Sequence, residues 1–250
     1  MLAGRNARRT ELAQIARENG YAPPGPKYQS QHDYRGRDSD YPIDYLQLLL
    51  DPQRTALLVI DMQDIFIQPG APMCAEGGHA IVPTINKLVT TFRSTGQPVI
   101  WTAWCHRRDG SNAGPNSIFW PSVAPLPPDS DLARIHSELD FRPEDILIEK
   151  PSYSAFWATD LEAILKTLDV DSLVLTGIAT DVCVGQTLID AFHRDYTCVV
   201  VADGTATPTP YQEQTLWHHE NYLGRVMTAE EVVSELLTLK GSQASLDRPS

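Results

Sequence analysis

The feature that most constrains this chain is a rhythm. From Thr55 onward, short apolar runs recur, and segments with helical spacing separate most of them. The runs are TALLVI, PVIWTAW, DILIEK, SLVLTG, TCVVVAD and a short RVMT. The apolar residues in them are contiguous rather than alternating with polar ones. A strand with one wet face alternates, whereas a strand covered on both faces reads as a continuous apolar run. Between the runs, HAIVPTINKLVTTFRSTG carries Ile81, Ile85, Leu88, Val89 and Phe92 at helical spacing and stops at Gly96. ATDLEAILKTL opens on Thr159 or Asp160 as a cap, and TDVCVGQTLIDAFHRD on Thr180 or Asp181. SDLARIHSEL, TPYQEQTLWHHENYLG and AEEVVSELLTLK are further expected helices, and an irregular stretch runs from His106 to about Asp129. Strands alternating with helices predict an α/β fold, a parallel sheet held between two helical layers.

Residues 1–50 do not share this rhythm. RRTELAQIAREN predicts one short helix ended by Gly20, and the rest reads as an extended N-terminal arm. The plain reading is a disordered leader; the alternative, suited to Tyr21, Tyr28, Tyr34, Tyr41 and Tyr45 among prolines, is an arm that packs across a subunit boundary, and the packed arm is the expectation. Residues 51–240 then form the domain, and 241–250, GSQASLDRPS, a flexible tail. With 250 residues, 42% of them hydrophobic, the chain can bury one sizeable core. The formal charge of −12 repels phosphate backbones, which argues against a nucleic-acid partner. No apolar stretch approaches the length of a membrane span. The first residues are polar and charged, and Cys74, Cys105, Cys183 and Cys198 show no CxxC or zinc-type spacing. A cytoplasmic setting with free thiols is the expectation.

Three polar residues gain meaning from where the rhythm puts them. Asp61 ends the first strand, Lys150 the third, and Cys183 lies in the turn after the fourth. In a parallel sheet these positions share the carboxyl edge, where ligands bind. A thiol attacks as thiolate, and the unpaired N–H groups at a helix start favour the anion. Asp61 would take the thiol proton and later deliver it to a leaving amine, with Lys150 orienting Asp61 and balancing charge. The same helix start would offer backbone N–H groups to a developing oxyanion.

The segments LLVIDMQDIF, IEKPSYSAF and LVLTGIATDVCV, in this order, resemble the isochorismatase-like cysteine hydrolase superfamily over about 55–230. The resemblance implies a three-layer α/β/α fold around a six-stranded parallel sheet in the order 3-2-1-4-5-6, usually in a homodimer or homotetramer. It implies an Asp61–Lys150–Cys183 triad, a cis peptide between Ile178 and Ala179, and an oxyanion hole made by the N–H groups of Ala179 and Cys183.

Within that superfamily, HRRDGSNAG resembles a segment of members acting on small amides and ureides, QPGAPM followed by GG resembles N-carbamoylsarcosine amidohydrolase, and KPSYSAF and GIATDVCV resemble ureidoacrylate and biuret amidohydrolases. A cysteine at 183 favours C–N hydrolysis through a covalent thioester. No cofactor is implied. Nicotinamidase-type members hold a metal on an Asp-Trp-His segment. Here Trp104 replaces the aspartate and only His106 matches, so no metal is expected. That metal-assisted deamidase and a non-catalytic thiol protein on the same fold are the alternatives. Gln63, Phe66, Trp104, His106, Arg107, Tyr153 and Phe156 are candidate substrate-binding residues, His106 and Arg107 for a carboxylate or ureido carbonyl.

Overall fold

The computed structural model describes residues 2–28 and 43–246. Its centre is a six-stranded sheet, all parallel, in the order β3-β2-β1-β4-β5-β6. In chain order the elements are α1 (Leu2–Glu18), β1 (Thr55–Ile60), α2 (Asp64–Ile67), α3 (Val82–Thr95), β2 (Val99–Trp104), α4 (Asn116–Phe119), β3 (Ile146–Lys150), α5 (Leu161–Thr167), β4 (Ser172–Ile178), α6 (Gly185–Phe192), β5 (Thr197–Ala206), α7 (Gln212–Tyr222), β6 (Arg225–Met227) and α8 (Ala229–Leu246).

The contiguous apolar runs have the expected cause. Successive side chains point to opposite faces of a strand, and here both faces are covered. Leu57 and Val59 of β1 face a layer built on α3 and α8, while Ala56, Leu58 and Ile60 face α5, α6 and α7. Every β1 residue is buried. A fully buried Leu such as Leu58 contributes about 1.5–3 kcal/mol. α3 buries Val82, Ile85, Leu88, Val89 and Phe92, carries Pro83 in its first turn and ends on Gly96 in the left-handed conformation, φ 79°.

Several expectations change. The arm's helix is longer than RRTELAQIAREN, and α1 packs on the chain's own domain. Leu12 and Ala16 meet Leu49 and Leu239, Arg8 pairs with Asp51 at 2.6 Å, and the Arg5 guanidinium lies 4.5 Å over the Tyr196 ring. Tyr34 and Tyr41 lie outside the described residues. α8 continues to Leu246, so the helix takes up residues expected in the tail. SDLARIHSEL keeps only a 3-10 turn, Asp131–Ala133. Beyond it the backbone is extended, because Ile135 bridges Gln63 and the His136 N–H donates to the Met62 carbonyl at 2.9 Å. No described helix is long and apolar enough to cross a membrane.

Candidate active site

The strand order reverses at β1, so a crevice opens at the carboxyl ends of β1 and its neighbours. Asp61 stands there at φ 50°, an unusual conformation for a residue with a side chain. Thr102 of β2 holds it. The Asp61 N–H donates to the Thr102 hydroxyl at 3.2 Å, and that hydroxyl donates to Asp61 Oδ1 at 2.6 Å. The other oxygen, Oδ2, lies 2.6 Å from Lys150 Nζ, and both side chains are wholly buried. Lys150 also donates to the Ser152 carbonyl at 2.8 Å. Thr102 was not singled out from the sequence, although the signal exists: parallel pairing sets it opposite Ile60, beside Asp61, and it is the one hydroxyl in VIWTAW.

Cys183 arrives from the other side. Gly177 near the end of β4 has φ 110°, and a Cβ there would stand 2.0 Å from the Ile60 carbonyl oxygen, so only glycine lets β4 run this close to the end of β1. The Ile178–Ala179 peptide is cis. A π turn, Thr180–Val184, follows with Ala179 as its cap, and the N–H groups of Val182 and Val184 both donate to the Ala179 carbonyl. Neither Thr180 nor Asp181 is the cap. Asp181 instead accepts from the hydroxyls of Thr207 and Thr209, each at 2.6 Å, which ties the turn to the loop after β5.

The electrostatics differ from the expectation of a thiolate at a helix start. Burial pushes the Cys183 thiol far up; the Lys150 charge opposes this and the Asp61 charge reinforces it. Burial also pulls the Lys150 ammonium down, but Asp61 and Cys183 together outweigh it and hold its pKa above the ordinary value. Burial and the Asp61 carboxylate thus both oppose the thiolate, and Lys150 favours it. Cys105 and Cys198 are also pushed up to about 12 by burial.

A cavity of about 350 Å³ opens onto Cys183 and Ala179. Phe66, Trp104 and Tyr153 line it as anticipated; Met73, Trp120 and Val182, not anticipated, complete much of an apolar wall. The Trp120 indole N–H donates to the Tyr153 hydroxyl at 3.2 Å. The Trp104 indole N–H is buried and has no hydrogen-bond partner among the described residues.

Four expected pocket residues lie elsewhere. The Gln63 amide donates to the carbonyls of Ala133 and Trp104, at 2.7 and 3.2 Å, and accepts from the Trp104 N–H at 2.8 Å. It is wholly buried and clips three segments together. Phe156 belongs to the core, against Tyr196 and under the Arg194 guanidinium. His106 and Arg107 line a second cavity of about 520 Å³. His106 Nδ1 accepts from the Leu126 N–H, its ring stands edge-on to Trp104 at 4.6 Å, and burial pulls its pKa down.

Comparison with known proteins gives the family and the fold. The family model described as the isochorismatase domain matches residues 55–231. Among solved structures, a cysteine hydrolase from Pseudomonas syringae pv. phaseolicola 1448A superposes with a TM-score of 0.73 at 28% identity, over 76% of this chain and 95% of that one. An N-carbamoylsarcosine amidase from Thermoplasma acidophilum gives 0.62 at 27%, over 71% and 97%. A nicotinamidase/pyrazinamidase from Bacillus subtilis gives 0.63 at 25%, over 70% and 99%. With its sheet order, its carboxyl-edge cluster and a family match over most of its length, the chain belongs to the isochorismatase family.

Proposed function

We propose that this protein is a cysteine-dependent amidohydrolase that cleaves the C–N bond of a small amide, ureide or carbamoyl compound. The observation that carries the reading is the buried Asp61–Lys150 pair beside Cys183 at the wall of an apolar cavity. Because burial raises the thiol pKa, attack calls for a base at hand, and Asp61 takes that role. The sulfur bonds to the substrate carbonyl carbon as its proton passes to Asp61. The oxyanion is received by the N–H groups of Ala179 and Cys183, each such donor contributing about 3–4 kcal/mol. Asp61 hands the proton to the departing nitrogen as the C–N bond breaks, leaving a thioester on Cys183. Water then enters and gives a proton to Asp61, its oxygen bonds to the acyl carbon, and the C–S bond breaks. The sulfur recovers the proton from Asp61. Lys150 stays charged throughout and keeps Asp61 in place.

The cavity wall favours an uncharged acyl group over an acidic one, since among the described residues no Arg or Lys side chain lines it. Trp104 offers an indole N–H without a partner, suited to one acceptor on the substrate. A nicotinamidase-type metal site is not supported: Trp104 stands at the aspartate position, and the Nδ1 lone pair of His106 already accepts from Leu126. The test is an ammonia- and amine-release screen of the purified protein over small uncharged amides, ureides and carbamoyl amino acids. Turnover of an uncharged amide or ureide that disappears in Cys183→Ala is expected; equal turnover in that variant would overturn the reading.

A further inference from the structure

We propose that His79, His136 and Glu138 form a binding site for a zinc-type divalent cation, on a different part of the molecule from the thiol cavity. One donor atom from each, the two imidazole nitrogens and a carboxylate oxygen, lie within 4.8 Å of one another. Glu138 Oε1 stands 3.1 Å from His79 Nε2 and 3.9 Å from His136 Nε2. The two rings are nearly perpendicular, 79° apart with centroids at 5.7 Å. Spacings of this order suit three ligands around one small cation with bonds of about 2.0–2.2 Å.

The second, independent observation concerns His136. Its Nδ1 lies 2.6 Å from Asp64 Oδ1. With Nδ1 turned to that carboxylate, which can accept its proton, Nε2 is the ring nitrogen left to hold a cation. That Nε2 is buried and has no hydrogen-bond partner among the described residues, while its neighbour at 3.9 Å is a carboxylate oxygen that cannot donate to it. A carboxylate behind the far nitrogen of an imidazole is the usual support of a metal-ligating histidine; it fixes the tautomer and raises ligand basicity. Two imidazoles and one carboxylate, with a fourth position left for water, select zinc-like ions over magnesium or calcium, which take oxygen ligands.

The backbone of the site is already fixed. His136 donates its N–H to Met62, and Asn86 donates its side-chain amide to the Glu138 carbonyl at 2.8 Å. His79 lies on the 3-10 turn His79–Ile81 that leads into α3. A cation would thus join the α3 approach to the 131–140 loop and, through Asp64, to the segment after β1. None of the three ligands lines the thiol cavity.

The experiment is a Co²⁺ titration of the metal-stripped full chain, carrying Cys183→Ser so that the central thiol does not compete. It is followed by visible absorption and then by displacement with Zn²⁺. Binding of one Co²⁺ per chain, with a tetrahedral d–d band lost on adding one equivalent of Zn²⁺, is expected. His79→Ala and Glu138→Gln, both at exposed side chains that should not disturb folding, should each weaken binding at least tenfold. Asp64→Asn should weaken it about 10- to 100-fold through His136. No binding at micromolar Co²⁺, or affinity unchanged in His79→Ala and Glu138→Gln, would overturn the proposal and leave an ion pair only.

Discussion

Among the described residues two ion pairs have both side chains buried, and their surroundings differ. Arg225 and Glu235 meet through two parallel hydrogen bonds of 2.8 and 2.9 Å, with almost no exposure of either side chain. Glu235 also accepts from the Leu50 N–H and the Tyr21 hydroxyl, each at 2.9 Å, and Arg225 donates to the Leu48 carbonyl. The network is closed, and it fastens the N-terminal segment to α8 and β6. Lys150 and Asp61 are as deeply buried, but their network stays open on the side of Cys183 and the cavity. A closed network holds a fold in one arrangement. An open one, next to a thiol whose pKa burial pushes up, sets a carboxylate beside that sulfur, as the proposed mechanism requires.

Substitution of Cys183 separates the two networks most strongly. Cys183→Ala should lower turnover roughly 10⁴-fold or more while unfolding within about 1 kcal/mol of the parent, because it removes one small side chain; steady-state release and urea unfolding check both halves. Glu235→Gln should do the reverse. It leaves Arg225 buried without a countercharge and should cost about 3–5 kcal/mol of stability, with kcat of the folded enzyme within about twofold, read by unfolding and by kinetics below the transition.

A third test uses pH. Burial lowers His219 from 6.5 to about 4, helped by His218 and opposed by Asp181. A depressed pKa means that the folded state binds its proton later than the unfolded one. The stability this group contributes is therefore complete above about pH 6.5 and is lost as pH falls through about 4. The full loss is about 3 kcal/mol, and urea midpoints from pH 7 to pH 4 should fall less steeply in His219→Gln. The smallest effect concerns the cavity wall. Trp104→Phe removes the unpartnered indole N–H and should raise KM about 3- to 10-fold with little change in kcat, the size of one neutral hydrogen bond.

The candidate site was legible where chemistry coincides with topology. Asp61, Lys150 and Cys183 are polar residues at the ends of apolar runs, and a parallel sheet brings such ends together whatever the loops do. Residues whose partners come from afar were not legible. Gln63 looked like a pocket residue until its amide met Ala133, 70 positions away. His106 and Arg107 were read from their types, but the chain after β2 turns them into another cavity. Trp120 closes the pocket from a stretch with no period to read. The Arg225–Glu235 pair had a signal, an arginine inside a buried strand and a glutamate inside VVSELL, that goes unexplained until both are seen to face each other.

The central claim is that Cys183 carries the acyl group. Its most direct test is a rapid-quench intact-mass experiment with an amide that the screen shows to be turned over, followed by peptide mapping. The account predicts a transient adduct of the acyl mass on the Cys183 peptide, absent from Cys183→Ser, which should also be inactive. Cys74 supplies the sharp alternative, since it lines the same cavity. An adduct mapped to Cys74 in a Cys183→Ser enzyme that retains full activity would contradict the account.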